Sequence, residues 1–487
     1  MSIGSVARMA LAVALAGAVA HARAAEDGLR RATQLLERNH YESAAAVLRA
    51  DANGGEAAGV AALTLGRAYA RSAELYRALH RSSLATGTRY LQQVATQAGA
   101  DRSRLAALYY GEYLIEAGKT TEGVAQLRRF LAQKDAPAPY RDLAGAAIAA
   151  AQARPAPAQA KSADPLVRIQ AAAAMSRAEA KRAEAVALVD QALEELRKAG
   201  ALPTRAATHA IGVYVRGGRY QQAFALAGAA DLGRPSHEEA IGKSKVIRFY
   251  DAALLGNLAR LHQAAAERLL GEARNDARLK GVAGYFLAEL HLKAGETSEA
   301  HRALSALAAA GDLPAAYRDR AAVMQAAVDV RNGQTAQGNA AFAQLAQKHA
   351  QEPVMLAETL TACVHARASC PGAAESARAL ALTSQAERFR GLHRAVGEQY
   401  AAEGQTERAL ASLETARDKA NKNRIDTNDP LLLVRLADLY LAAKTFSENL
   451  EIYFELAKEF PAVRQLQEAG QGIYSTEYRS AGDVKIF

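Results

Sequence analysis

Along most of the chain, apolar residues recur every three or four positions, and short polar or glycine-containing segments interrupt them. This period is typical of helices that bury one face. The clearest example lies in residues 389–419, where Glu403-Gly404-Gln405 separates two apolar stripes. The stripes consist of Val396, Gly397 and Tyr400, and of Ala409, Leu413 and Ala416. The pattern predicts two helices joined by a tight turn.

Side-chain size along this segment indicates how the two helices would pack. Gly397 and Ala409 are small where antiparallel helices would touch, and Tyr400 and Leu413 would fill the space on either side. Gly404 allows the turn, because glycine adopts positive φ without steric cost. We therefore expect a closely packed hairpin.

The order and spacing of these residues resemble those of the tetratricopeptide repeat, a family of helix hairpins. The resemblance is clear over about residues 389–461, and a second copy follows the first. Its members are Leu433, Leu436, Ala437, Tyr440, Phe446, Tyr453, Leu456 and Pro461. Lys444 and Asn449 depart from the pattern, where a turn glycine and a small residue are usual. We expect the second helix there to pack less closely.

Weaker copies recur upstream, with small residues, turn glycines and apolar residues in a similar order. These sets are Asn39, Tyr41, Ala44, Leu48; Gly111, Leu114, Gly118, Gly123, Leu127; Gly212, Gly218, Tyr220, Ala223; Ala288, Gly295, Ala300, Leu304, Leu307; and Ala326, Gly333, Gly338, Phe342, Leu345. The resemblance implies an all-α fold, a right-handed superhelical solenoid of antiparallel helix hairpins. The abundance of Ala and Leu, both strong helix formers, agrees with it.

Proline marks the main predicted boundary. Residues 152–165 contain three prolines among Ala, Gln, Lys and Ser, and proline removes helical hydrogen-bond donors. We expect a linker there, between an N-terminal repeat block at 25–151 and a larger block at 166–471. Residues 472–487 lack helical periodicity and are expected to cap the last helix or, alternatively, to dock on a partner.

The first 24 residues have the organisation of a bacterial secretory signal peptide. Arg8 precedes the apolar stretch Met9–Ala20, and Ala22-Arg23-Ala24 supplies small residues for cleavage. The stretch is short for a transmembrane helix, and no cysteine follows that could carry a lipid anchor. We expect export to the periplasm, with no transmembrane span after removal of the signal. The alternative is a place on the periplasmic face of a membrane complex.

Composition and charge narrow the class of partner. Half of the residues are hydrophobic, so the chain can bury a large core, and the formal net charge is +9. Charges of both signs are interspersed, as they are on solvated helix faces. No concentrated basic stripe of the kind that binds nucleic acid is present. Nucleic acid is therefore not an expected partner.

The two cysteines, Cys363 and Cys370, would pair in an oxidising compartment. Pro353 would start a helix that ends near Cys363, and Pro371-Gly372 would interrupt the chain after Cys370. We predict a disulfide that staples a helix end. The alternative is a redox or metal pair, but the spacing is not Cys-x-x-Cys and no second ligand pair exists.

No catalytic constellation is recognisable. The sequence lacks a glycine-rich phosphate loop, Gly-x-Ser-x-Gly, His-Glu-x-x-His and a haem-attachment motif. The eleven histidines are scattered, and adjacent glutamates are typical of helix faces. No catalytic, cofactor-binding or metal-binding residue is predicted, and no cofactor.

Function would then depend on surface shape. The resemblance implies a concave groove lined by the first helix of each hairpin, and its candidate partner-binding residues are Arg394, Glu398, Arg435 and Asp438. The alternative is that these four residues belong to an ordinary solvated face. We expect a periplasmic scaffold or adaptor that binds envelope proteins or peptides. A glycan-binding or cell-wall-cleaving protein with a buried acidic residue, and an obligatory subunit of a membrane complex, remain the alternatives.

Overall fold

The computed structural model describes residues 56–97, 103–152, 157–241, 245–383 and 389–480, with short pieces between residues 27 and 47. The predicted signal peptide lies outside the described residues, as does the first weak repeat copy apart from Ala44. Helices contain most of the described residues, and one short pair of strands is the exception to the helical pattern there, so the predicted all-α fold of helix hairpins is confirmed. Within these ranges, no helix combines the length and apolarity needed to cross a bilayer.

The first part of the chain forms helices α1 (Glu56–Ala95), α2 (Ala106–Glu116), α3 (Thr120–Leu131), α4 (Ala138–Ala151), α5 (Pro157–Ala160), α6 (Pro165–Met175), α7 (Arg182–Lys198), α8 (Thr204–Arg216) and α9 (Tyr220–Ala229). Strands β1 (His237–Ile241) and β2 (Lys245–Phe249) follow. The remaining helices are α10 (Leu254–Ala273), α11 (Lys280–Ala294), α12 (Thr297–Ala310), α13 (Ala315–Arg331), α14 (Thr335–Lys348), α15 (Pro353–Ala366), α16 (Pro371–Leu382), α17 (Arg390–Ala402), α18 (Thr406–Ala416), α19 (Pro430–Ala442), α20 (Phe446–Glu459) and α21 (Arg464–Ser480).

The chain divides into two compact units. The first unit contains the described residues up to Ser72 together with Ala265–Leu432, and the second contains Ala73–Ala264 together with the described residues from Leu433 onward. The predicted linker at 152–165 and its flanks lie within the second unit. The boundary expected from proline content therefore does not coincide with the boundary between the units.

The turns between paired helices share one geometry. Positive φ angles, between 70° and 87°, occur at the turn glycines Gly118, Gly218, Gly295, Gly333 and Gly404. After the last of these, the backbone N–H of Gln405 donates to the carbonyl of Tyr400 at 2.9 Å. This bond spans five residues and closes a Schellman motif, which satisfies a carbonyl at the helix end.

Between α19 and α20, Lys444 takes the place of the turn glycine. It adopts φ 63°, and the next N–H, of Thr445, donates to the carbonyl of Tyr440 at 2.9 Å. The turn geometry is thus retained although a non-glycine residue in this region is strained.

Small residues allow the paired helices to approach closely. A methyl group on Gly397 would lie 2.6 Å from Cγ of Leu413, a separation that van der Waals repulsion forbids. Ala409 and Leu413, on the opposite helix, are fully buried. In the next hairpin, the buried Asn449 occupies the position of Ala409, and its Nδ2 donates to the carbonyl of Ala437 at 2.7 Å. A hydrogen bond there replaces contact between two small residues.

The antiparallel pair β1–β2 was not expected from helical periodicity. Ile247 and Phe249 are buried and alternate with exposed neighbours, as in a strand with one covered face. Phe249 stacks on Tyr109, with ring centroids 4.6 Å apart. Strands of five residues are too short to stand out against a repeating pattern of helices.

Proline marks helix starts at several predicted breaks. Pro165 is the first residue of α6, and the side chain of Asp164 accepts from Leu166 N at 2.8 Å to cap it. The expected interruption at Pro371 is wrong, because Pro371 is the first residue of α16. A proline at this position loses no helical hydrogen bond. Helix α21 continues to Ser480, beyond the predicted start of the tail at residue 472.

Cys363 and Cys370 are joined by a disulfide, with their Cα atoms 6.5 Å apart. Cys363 lies in the last turn of α15, and Cys370 directly precedes α16. The bond thus connects the end of one helix to the start of the next.

We predict that Gly397→Ala destabilises the protein by about 1–3 kcal/mol, because the new methyl group overlaps Leu413. Gly391→Ala is the matched control on the same helix, since no atom lies near its new methyl group. It should leave stability unchanged or raise it by up to about 1 kcal/mol. Urea unfolding followed by circular dichroism compares the two variants. Equal urea midpoints for the two variants would contradict the close contact between Gly397 and Leu413.

Thiol titration tests the disulfide. The denatured, unreduced protein should show no reactive thiol, and the reduced protein should show both. Opening a loop this short should lower the free energy of unfolding by about 2–3 kcal/mol. The double variant Cys363→Ser, Cys370→Ser is the control, and reductant should not change its stability. Two free thiols in the unreduced protein would refute the bond.

Candidate functional site

In the first unit, the predicted groove residue Arg394 is engaged within the chain. Its Nη1 lies 2.5 Å from Oδ2 of Asp429, and Nη2 of Arg71 lies 3.0 Å from the same oxygen. Burial opposes ionisation of Asp429, but the two guanidinium groups outweigh it and hold its pKa well below the usual value. Glu398 is buried on the same helix and adds a favourable charge to Arg394.

In the second unit, the predicted groove residue Asp438 is also engaged. Its Oδ1 accepts from the hydroxyl of Ser82 at 2.5 Å and from that of Tyr453 at 3.5 Å. Burial raises the pKa of Asp438, although the charges of Arg435 and Arg81 act in the opposite direction. Arg435 and Asp438 are therefore close enough to interact.

Helix α1 lies against these predicted positions in each unit. Arg71 and Ser82, which meet Asp429 and Asp438, both belong to this 40-residue helix. The sequence could not indicate this, because the contacting residues are more than 350 positions apart. The assignment of the four residues to an external partner stays a prediction.

The packing of α1 uses small residues and charged side chains. In the first unit, the guanidinium of Arg67 lies 4.4 Å from the ring centroid of Phe286. In the second unit, Gly472 of α21 leaves room for the ring of Tyr90, and Arg89 is ion-paired with Glu477. Each unit thus holds its part of α1 by contacts along the helix.

One group of described residues has a spacing suited to a metal ion. Ligand atoms of Glu267, His291 and Glu296 lie within 4.8 Å of one another. Nδ1 of His291 is 2.7 Å from Oε2 of Glu296, and the two residues flank the turn between α11 and α12. A hydrogen bond across a helix turn explains this arrangement, so we assign no metal to it.

A pocket of about 110 Å³ lies within the second unit. We call it the five-helix pocket, because α2, α4, α6, α8 and α10 contribute to its walls. Its lining includes Glu112, Glu116, Gln170, Arg177, His209, Arg216, Asp251, Asn257 and Arg260.

Arg205 connects two carboxylates in the wall of the five-helix pocket. The buried guanidinium forms an ion pair with Glu112 and a second with Asp251 at 3.0 Å. Oδ2 of Asp251 also accepts from the hydroxyl of Ser236 at 2.6 Å. Burial raises the pKa of Glu112, and the charge of Arg205 opposes that effect. The guanidinium also lies 5.3 Å from the ring centroid of Tyr109.

Sequence reasoning missed this network. Glu112, Arg205 and Asp251 come from three separate segments, and none belongs to a recognisable motif. The available signal was a polar row in α8, formed by Arg205, Thr208 and His209 at helical spacing. A polar row of this kind is also typical of a solvated face.

Comparison with known proteins adds little. No family model matches the sequence, and no curated protein is significantly similar to it. Among solved structures, the crystal structure of the yeast Tom70 matches with a TM-score of 0.31 and 10% sequence identity, over 94% of this chain and 97% of that chain. Because this score is too low to support an argument about fold or function, the hairpin assignment rests on the contacts described above.

We predict that Arg205→Met destabilises the second unit by about 3–5 kcal/mol at pH 7, because two buried carboxylates lose their counter-charge. Without Arg205, the pKa of Glu112 should rise further in the folded state, because burial then acts without the opposing charge of the guanidinium. The folded variant therefore binds more protons than its unfolded state does above the ordinary carboxyl pKa, and its stability falls as the pH rises through that range. The loss of stability should be smaller at pH 5 than at pH 7.

Urea unfolding at the two pH values measures this change. Arg197→Met, at an exposed position of α7, is the control and should have little effect at either pH. A loss for Arg205→Met that is independent of pH would contradict an electrostatic role.

Proposed function

We propose that the protein is an exported scaffold that binds other proteins or peptides of the bacterial cell envelope. One observation carries the proposal: residues on the helix hairpins of each unit hold a helix, α1, by side-chain contacts along its length. In the first unit, Asp429 pairs with Arg71 of α1, and in the second unit Asp438 accepts from Ser82 of α1. Surfaces of this kind recognise helical segments in other proteins.

The contacts with α1 suggest the chemistry of such a segment. They involve small residues at close approach, such as Gly66 beside Leu270, and basic side chains that meet carboxylates, such as Arg71 with Asp429. A partner helix with small residues on one face and arginines beside them would make the same contacts. The organisation of residues 1–24 supports export, and the absence of catalytic motifs supports binding rather than catalysis.

Affinity capture of the tagged chain from its own host tests the scaffold. The chain should be found in the periplasmic fraction with Ala25 as its first residue, and it should retain the same few envelope proteins in repeated captures. The double variant Ser82→Cys, Asp438→Cys would fix α1 to α19 by a disulfide, because these side chains are adjacent. Purified wild type with and without reductant is the matched control.

The outcomes test the location of the partner-binding surface separately from the scaffold function. If the oxidised double variant loses the captured proteins and regains them on reduction, they bind where α1 lies. If it retains them, the assignment of Arg394, Glu398, Arg435 and Asp438 to partner binding is wrong while the scaffold stands. If wild type captures no protein, the scaffold proposal is refuted.

A second candidate function rests on Glu112. It is a largely buried carboxyl group with a raised pKa in the wall of the five-helix pocket, and such groups occur at catalytic sites. Its ion pair with Arg205, and a pocket volume of about 110 Å³, fit a structural carboxylate better than an acid that cleaves a glycan chain. Capture of cell-wall fragments alone would favour this second candidate.

A further inference from the structure

Three arginines surround one side of the five-helix pocket. Arg177 follows α6, Arg216 is the last residue of α8, and Arg260 lies in α10. Each binds a neutral acceptor: Arg177 a carbonyl of α4 at 3.3 Å, Arg216 the hydroxyl of Ser176 at 2.7 Å, and Arg260 the side-chain oxygen of Asn257 at 2.8 Å. Among the described residues, none of the three forms an ion pair with a carboxylate.

The carboxylates of the pocket are already engaged elsewhere. Glu112 and Asp251 pair with Arg205, and Oε1 of Glu116 lies 3.3 Å from Nε2 of His80. Burial opposes ionisation of Glu116, but the hydrogen bond from His80 and the charges of nearby arginines lower its pKa. The charge of Glu116 partly offsets the positive charges around Arg216, but it does not outweigh them.

Arg216 shows the consequence of this excess of positive charge. Burial, and then the charges of Arg260 and Arg177, lower its pKa to about 10. An anion among the three guanidinium groups would relieve this repulsion.

His209 supplies an uncharged donor beside the arginines. Burial lowers its pKa to about 4, so the ring is neutral at pH 7. Its Nε2 is buried and has no hydrogen-bond partner among the described residues. A buried polar atom without a partner is costly, and an N–H at this position could donate to a bound oxygen atom.

We infer that Arg177, Arg216, Arg260 and His209 form a binding site for a small oxyanion, either a carboxylate or a phosphate. Guanidinium groups match the geometry of both by paired hydrogen bonds. The volume of about 110 Å³ is well below the roughly 300–1,000 Å³ of sites for drug-sized ligands, so the site accepts a group of a few heavy atoms. The inference is independent of the proposed scaffold function.

Calorimetric titration of the full mature chain tests the site. The probes are inorganic phosphate and acetate, each added at constant ionic strength, and chloride is the reference. We expect saturable binding of at least one probe. Arg260→Gln should weaken it about tenfold or more, because it removes one charge-assisted hydrogen bond. Arg268→Gln, an exposed arginine of the same helix α10, should leave binding unchanged.

The probes also distinguish the two sources of the oxyanion. Binding of phosphate alone assigns the site to phosphate-bearing ligands, and binding of acetate alone assigns it to carboxylates. Arg216→Gln removes the contact with Ser176 and could affect folding, whereas Arg260 is exposed and its variant keeps the test valid. The inference would be overturned if neither probe bound saturably. It would also be overturned if the Arg260→Gln and Arg268→Gln variants bound the probe equally well.

Discussion

Close contact between paired helices, at positions without a bulky side chain, is the constraint on which this structure depends. At Gly397, the backbone of α17 lies so near Leu413 that even a methyl group would overlap it. Similar contacts occur at Gly111 against Leu127 and at Gly338 against Val330. Apolar side chains of neighbouring hairpins also pack together. Leu356 and Leu360 of α15 belong to the same buried cluster as Leu392 and Val396 of α17.

The hairpins could be predicted from sequence because their determinants are local. Gly404 and the small residues on either side of it lie within about twenty positions of one another, so periodicity and residue size suffice to identify them. The same reasoning did not foresee that Lys444 would adopt the conformation of a turn glycine. The Schellman hydrogen bonds form there regardless of the side chain, and a turn held from both ends tolerates the strain.

The rest of the structure depends on contacts between distant segments, which leave no local pattern. Arg205 meets Glu112 across 93 positions and Asp251 across 46. Each of these residues alone resembles a charge on a solvated helix face, which is the more common situation. The strands β1 and β2 were missed for a related reason. Their buried face is defined by Tyr109, far along the chain, and five residues are too few to establish a period of two.

The predicted groove residues illustrate how a resemblance can identify a face without identifying what covers it. Arg394 does interact with a carboxylate and Asp438 does accept hydrogen bonds, but the groups nearest to them belong to this chain. A partner that used these positions would have to displace α1, and its intrinsic affinity would be multiplied by the small fraction of molecules in which α1 is displaced. Since α1 is covalently attached, its effective concentration is high. Recognition at these positions would therefore favour partners whose helix makes better contacts than α1 does. A partner that binds a surface away from α1 does not have to displace this helix, so its affinity is not lowered in this way.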